Sequence, residues 1–139
     1  MGAGRARLLG HPRRALSALR VFLYGTLMDP AVARRVAGAD RFVREARPAL
    51  LPGWRRAMLR GTPYPTLVRD PTAAVHGVLA EVPPAVLRRL HAYEGPLYRF
   101  VRVRVLCDGA MLAARAWIAA EARALTARGS VRSRRAGRP

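Results

Sequence analysis

The hydrophobic pattern of the chain first becomes regular at residues 20–24, where the four apolar and aromatic side chains that follow Arg20 form a run typical of a buried β-strand. Gly25 follows this run, and Asp29 and Pro30 then supply an N-cap and a first-turn proline, which are typical of the start of a helix. The helical pattern ends at Gly38. The pattern therefore predicts a strand, a glycine-containing turn and a short helix.

Prolines divide the middle of the chain. Four of them interrupt residues 47–70, which therefore predict short strands and turns rather than a helix. Residues 73–82 predict a strand, in which Gly77 indicates a bulge or the close approach of another backbone segment. Two further prolines introduce a predicted helix over residues 84–93, whose apolar side chains share one face.

The clearest β pattern lies near the end of the chain. Valine and arginine alternate over residues 98–106, Asp108 and Gly109 predict a hairpin turn, and residues 112–119 form the returning strand. The total is five or six strands and two short helices, which neither alternate regularly nor occur in separate blocks. The predicted fold class is therefore α+β, with a small mixed β-barrel or strongly curved sheet flanked by short helices.

The charge distribution sets the two ends of the chain apart. All 26 basic residues are arginines. The chain contains no lysine, asparagine or glutamine, and a GC-rich coding sequence produces this bias in amino-acid composition. Of the net charge of +18, residues 21–121 carry only +7, from fifteen arginines and all eight acidic residues. We expect a flexible basic extension at residues 1–19, one folded domain at 20–121 and a disordered basic tail at 122–139.

The composition excludes several kinds of site. A single cysteine rules out an internal disulfide and a cysteine-based zinc site, and the three serines lie in the terminal segments, away from any catalytic core. No phosphate-binding glycine loop or metal-binding histidine pair is present, so we expect neither a cofactor nor a metal. No apolar run approaches the ~20 residues that cross a bilayer. We expect a cytoplasmic protein without a membrane partner.

Glu94 differs from the other acidic residues in its surroundings. It lies between a predicted helix and a predicted strand, next to Tyr93 and Gly95 and close to Tyr98. A carboxyl group that is desolvated among aromatic side chains has a raised pKa and suits a general base. The alternative is a solvated loop glutamate paired with one of the many arginines, and the local context alone favours this alternative.

Five stretches, taken in order, resemble the gamma-glutamylcyclotransferase-like family over roughly residues 21–118. They are VFLYGTL, YPTLV, VHGVLAEV, LRRLHAYEGPLYRFVRVRV and ARAWI. The combination of Tyr-Gly-Thr-Leu with the later Tyr-Glu-Gly and Tyr-Arg carries the resemblance. It implies a small mixed barrel and an enzyme that cyclises a small γ-glutamyl compound to 5-oxoproline, releasing an amine or amino acid.

The resemblance also implies the roles of individual residues. Glu94 matches the family's general base, which takes a proton from the substrate's α-ammonium group and returns it to the leaving nitrogen. Tyr98 matches a tyrosine that faces the substrate. His91 stands where members often carry an aspartate, which leaves efficiency and pH dependence open. The residues that match the glycine-containing loop around the glutamyl group are Tyr24, Gly25, Thr26 and Leu27.

Two other interpretations stay open. The first is a non-catalytic binding protein on the same scaffold, with basic ends that contact nucleic acid or another polyanion; salt-dependent binding would distinguish it. The second is a related γ-glutamyl transfer or hydrolysis. The Tyr-Gly-Thr-Leu motif slightly favours the branch of the family that acts on γ-glutamyl amines. No pattern in the sequence indicates the leaving group or the oligomeric state.

Overall fold

The structure, a computed structural model, describes residues 18–120 and 123–124. Its strands are β1 (Leu19–Leu23), β2 (Arg47–Met58), β3 (Pro65–Val82), β4 (Tyr98–Cys107) and β5 (Ala110–Ala119). Its helices are α1 (Pro30–Ala37), α2 (Arg41–Arg44) and α3 (Pro84–Glu94), and a 3₁₀ turn covers Thr26–Met28.

The strands close into a mixed barrel in the order β1-β3-β2-β4-β5. Neighbouring strands are antiparallel except β1 and β5, which run parallel with Val21 opposite Arg115. β2 joins β4 through the single register pair Leu50–Leu106. The closed mixed barrel with its short flanking helices confirms the predicted α+β fold class.

Strand β1 contributes to two hydrophobic cores. Phe22 and Tyr24 point into the core inside the barrel. Val21 and Leu23 point outward and pack in the second core, where Leu90 of α3 is fully buried. Because both faces of β1 are covered from Val21 onward, residues 21–23 form a continuous apolar run instead of an alternating one.

Strands β2 and β3 are longer than the sequence pattern predicts, because they continue through the proline-containing segment. Pro48 and Pro52 have no N–H group to donate to a neighbouring strand. Because β2 and β4 share only one register pair, few hydrogen bonds between these two strands are lost at the prolines. Residues 70–73 of β3 bulge out of register. Within this bulge Asp70 Oδ1 accepts hydrogen bonds from the Thr72 N–H and hydroxyl at 3.0 and 2.7 Å.

Three local predictions are confirmed. Asp29 caps α1 by accepting a hydrogen bond from Ala31 N at 2.9 Å, and Gly38 ends that helix with a φ of 75°. Asp108 and Gly109 form the turn between β4 and β5, with φ angles of 52° and 81°. Capping and turn chemistry are local, so the sequence alone specifies them.

The predicted ends of the domain fall largely outside the described residues. Of the predicted extension at residues 1–19, only the last two residues are described, and Leu19 already begins β1. Of the predicted tail at residues 122–139, only 123–124 are described; there Ala124 is fully buried and forms a β-bridge with Leu59. The chain therefore contacts the barrel at least as far as Ala124. The domain boundaries themselves stay predictions.

Gly77 lies where another backbone segment approaches closely, as predicted. A Cβ at this position would lie 2.3 Å from the main-chain oxygen of Leu23 and 2.7 Å from the Phe22 ring. We expect Gly77→Ala to lower the free energy of unfolding by about 3 kcal/mol, since the backbone of β1 must move. Urea denaturation measures this loss.

Gly61→Ala is the matched control for Gly77→Ala. Gly61 has a φ of 77°, but a Cβ there would meet nothing within 4 Å. We expect it to cost about 1 kcal/mol, from the left-handed backbone alone. Equal losses in the two variants would contradict the steric explanation.

Candidate active site

A cavity of about 190 Å³ opens where the carboxyl ends of β1 and β5 meet the amino end of β4 and the end of α3. Its lining residues are Phe22, Leu23, Tyr24, Gly25, Thr26, Leu27, Tyr64, Pro65, Tyr93, Glu94, Tyr98 and Trp117. All six residues that the sequence predicts for the site are among them. The fold thus brings the two distant motifs to one cavity, while the roles of their residues stay predictions.

Glu94 is aimed at this cavity by the packing of α3. Leu90 is fully buried against the barrel, and Glu94 follows it by four residues, so the two side chains share one helix face. Gly95 ends the helix with a φ of 79°, and its N–H donates to the carbonyl of His91 at 3.1 Å. The carboxyl group is therefore held at the last helical position instead of in a free loop.

The surroundings of Glu94 favour its neutral form. Burial raises the pKa of its carboxyl group from 4.5 to about 7. The carboxyl end of a helix acts in the same direction, because its dipole disfavours a negative charge. Within residues 18–120 and 123–124 Glu94 forms no ion pair. This geometry does not match the solvated, arginine-paired alternative.

Tyr24 anchors the turn that begins at Gly25. Its hydroxyl donates a hydrogen bond to the main-chain oxygen of Trp117. Thr66, which is fully buried, also lies against this hydroxyl and accepts a hydrogen bond from Ala119 N at 2.9 Å. Burial raises the pKa of Tyr24 far above its usual value, and the nearby Tyr98 and Glu94 add to the rise. Tyr24 therefore remains a neutral hydrogen-bond donor.

The backbone after Tyr24 presents main-chain N–H groups at the cavity wall. The 3₁₀ turn is closed by hydrogen bonds from Met28 N to Gly25 O and from Asp29 N to Thr26 O, both 3.0 Å long. Within the described part of the chain, the N–H groups of Gly25, Thr26 and Leu27 have no hydrogen-bond acceptor. Such N–H groups at the start of a helical turn can bind an anionic or carbonyl oxygen.

Gly25 keeps part of the wall open. Its φ of −128° lies outside the left-handed region, so its backbone conformation does not require glycine. A Cβ there would reach Pro65 Cγ at 3.4 Å, which is ordinary van der Waals contact. The glycine therefore leaves space between the turn and the β2–β3 loop.

Tyr98 completes the polar part of the wall. Its hydroxyl donates to the main-chain oxygen of Pro65 at 2.8 Å. Burial, with a further contribution from the nearby Glu94, raises the pKa of Tyr98 to about 12. Tyr98 therefore stays protonated when Glu94 ionises.

Sequence reasoning missed the aromatic residues that complete the cavity, above all Tyr64, Tyr93 and Trp117. Together with Tyr24 and Tyr98, Tyr64 and Tyr93 bring all four tyrosines of the chain to the cavity lining. Within the described part of the chain, no arginine lines the cavity. Tyrosine and tryptophan are rare in this arginine-rich chain. Their rarity is the signal in the sequence that could have identified Tyr64, Tyr93 and Trp117.

The described residues contain no group of three histidine, cysteine, aspartate or glutamate side chains placed to hold a metal ion. None of the three helices within residues 18–120 has the length and apolar character needed to cross a membrane.

The family model described as gamma-glutamyl cyclotransferase, AIG2-like, matches residues 21–134. The chain belongs to this family. The match confirms the resemblance seen in the sequence motifs. Protein AIG2 C of Arabidopsis thaliana is 38% identical over 87 residues, which cover 62% of this chain and 51% of that protein. The chain thus spans about half the length of the curated relatives it matches.

Solved structures agree with this assignment. A solution structure of an Arabidopsis thaliana protein matches with a TM-score of 0.64 at 29% identity, covering 74% of this chain and 69% of that one. A protein named gamma-glutamyl cyclotransferase matches with a TM-score of 0.62 at 16% identity, covering 74% and 67% of the two chains. At that identity the second likeness shows the fold alone.

The raised pKa of Glu94 predicts a pH-dependent cost in stability. The folded protein holds the Glu94 proton up to about pH 7, whereas the unfolded chain releases it near pH 4.5. Stability therefore falls as pH rises between these values, by an amount on the order of 3 kcal/mol or less. We expect Glu94→Gln to be more stable than the parent protein at pH 8, with the advantage vanishing near pH 4.5.

Urea denaturation at several pH values measures this difference. Glu81→Gln serves as the control, because Glu81 is an exposed glutamate outside the cavity. A stability difference between Glu94→Gln and the parent that does not change with pH would contradict the burial of this carboxyl group.

Proposed function

We propose that the protein is a γ-glutamyl cyclotransferase that converts a small γ-glutamyl compound to 5-oxoproline and a free amine or amino acid. The observation that carries the proposal is the shared cavity. A partly buried carboxyl group whose pKa is raised to about 7 lies in the same small space as a turn whose N–H groups have no acceptor within the described residues.

The chemistry requires few protein groups, because the substrate supplies its own nucleophile. Glu94 takes a proton from the substrate's α-ammonium group, and the resulting amine attacks the γ-carbonyl carbon of the same molecule. A C–N bond forms and negative charge develops on the γ-oxygen. Glu94 then returns the proton to the departing nitrogen as the original amide bond breaks, which releases 5-oxoproline and the amine.

Positioning supplies much of the rate in a reaction of this kind. Holding the amine against the carbonyl makes the attack unimolecular with correct orientation, which requires no protein nucleophile. In the proposal, the N–H groups of Gly25, Thr26 and Leu27 bind the γ-oxygen and stabilise its developing charge. Tyr98, protonated and tied to Pro65, faces the glutamyl group as a fixed neutral wall.

The charge of the cavity favours a substrate that carries a positively charged group. Among residues 18–120 and 123–124, Glu94 is the only carboxyl side chain that lines the cavity and no arginine lines it, although the whole chain has a net charge of +18. An arginine beside Glu94 would hold the carboxyl group permanently ionised with a low pKa, which makes it a weak base. With no such partner among the described residues, desolvation keeps the pKa of Glu94 near neutrality. A small γ-glutamyl amine or amide is the substrate class we propose.

We expect Glu94→Gln to lose at least ~10²-fold in turnover, because glutamine cannot accept the α-ammonium proton. The measurement is mass-spectrometric detection of 5-oxoproline from a panel of γ-glutamyl amines and γ-glutamyl amino acids. Turnover of the parent protein should rise with pH through about 7, as the Glu94 carboxyl group ionises. Glu81→Gln is the control and should retain activity; an active Glu94→Gln protein would refute the role of Glu94.

We also propose that the basic ends of the chain are dispensable for turnover. All lining residues of the cavity fall between Phe22 and Trp117. Removal of residues 1–17 and 128–139 should leave kcat and KM within about twofold, since none of the described lining residues is removed. Loss of turnover on truncation would contradict this. A salt-dependent affinity for nucleic acid that disappears with the ends would instead support the binding-protein alternative.

A further inference from the structure

Trp117 joins the two halves of the candidate site. Its indole Nε1–H donates a hydrogen bond to Nδ1 of His91 at 3.1 Å. Its main-chain oxygen accepts the hydrogen bond from the Tyr24 hydroxyl. One residue of β5 therefore contacts both the helix that carries Glu94 and the strand end that leads to Gly25.

His91 lies one helical turn before Glu94 in α3. Its ring meets Phe100 and Trp117 edge to face, with ring centroids 4.7 and 5.2 Å apart. These contacts hold the last turn of α3 against the outer face of β4 and β5. The orientation of that turn decides how deeply the Glu94 carboxyl group enters the cavity.

The hydrogen bond has a defined direction. An indole nitrogen can only donate, so the His91 Nδ1 must be an unprotonated acceptor, and the proton of the neutral ring is on Nε2. Trp117 is buried, with 4% of its surface exposed. His91 itself is exposed. If it were unable to accept, the indole N–H would lose its partner within the protein, which favours movement of the helix end or of the indole towards another acceptor.

We propose that His91 is a positioning residue that, through its hydrogen bond to Trp117, sets the placement of Glu94 relative to the turn at Gly25. The kinetic consequence rests on the function proposed above; the structural link between His91 and Glu94 does not. The rival explanation is that His91 only fills space between the aromatic rings. The two explanations predict different results when His91 is replaced by an aromatic residue that has no nitrogen acceptor.

Two substitutions of His91 separate these explanations. His91→Phe keeps an aromatic ring against Phe100 and Trp117 but removes the acceptor. His91→Asn loses the ring but keeps an acceptor oxygen close to the position of Nδ1. Arg88→Gln is the control, because it changes an exposed position of the same helix that does not line the cavity.

Two NMR readouts test the link without any substrate. The chain has two tryptophans, so the indole N–H of Trp117 can be assigned by elimination and should shift in His91→Phe, from its hydrogen-bonded position. The ¹³C titration midpoint of the Glu94 carboxyl group should fall from about 7 towards its ordinary value, by about half a unit or more, as the helix end loosens. His91→Asn should restore most of both shifts, and Arg88→Gln should change neither.

The kinetic readout uses the same variants. We expect His91→Phe to lower kcat by roughly tenfold with a smaller change in KM, while His91→Asn recovers most of the loss. In a Glu94→Gln background, His91→Phe should cause little further loss, because it acts through Glu94.

The outcomes separate the positioning role from the proposed function. If His91→Phe leaves the Trp117 indole signal and the Glu94 midpoint at their parental values, the positioning role is overturned whatever the activity. If the parent protein forms no 5-oxoproline while both NMR shifts appear, the proposed function fails and the positioning role stands.

Discussion

The parallel pairing of β1 with β5 is the constraint on which the site depends. It closes the barrel and sets the carboxyl ends of the two strands side by side, with Val21 opposite Arg115. Three residues beyond Val21, Tyr24 lies where its hydroxyl reaches the main-chain oxygen of Trp117, which is two residues beyond Arg115. The turn at Gly25 therefore begins at a fixed point of the barrel, and the end of α3 packs against that point from outside.

The site combines two features that fold stability alone would not select. Within the described residues, the partly buried carboxyl group of Glu94 has no cationic partner, and three N–H groups of the turn at Gly25 have no acceptor. Each feature carries a desolvation cost, which the two well-packed cores around Phe22 and Leu90 offset. Local costs of this kind, supported by a rigid surrounding structure, are typical of functional sites. The two features also complement each other, since one suits proton transfer and the other suits developing negative charge.

Most of the local structure could be predicted from sequence, and the long-range features could not. The cap at Asp29, the helix end at Gly38 and the turn at Asp108 depend on neighbouring residues only, and all three are confirmed. The length of β3 was underestimated because prolines usually end strands. Here a bulge at residues 70–73 and a sparsely paired edge of β2 accommodate them, and both are features of the pairing between strands.

The site shows the same division between local and long-range information. Read alone, the residues around Glu94 favour a solvated glutamate, because nothing local shows that Leu90 turns that helix face towards the barrel. The family resemblance supplied the pairing with Tyr24 that local reasoning lacked. Neither the local pattern nor the family resemblance indicates Trp117. Its importance comes from two hydrogen bonds in different directions: its indole N–H donates to His91, and its main-chain oxygen accepts from Tyr24. A residue that connects two motifs belongs to neither of them, so only the closed barrel reveals it.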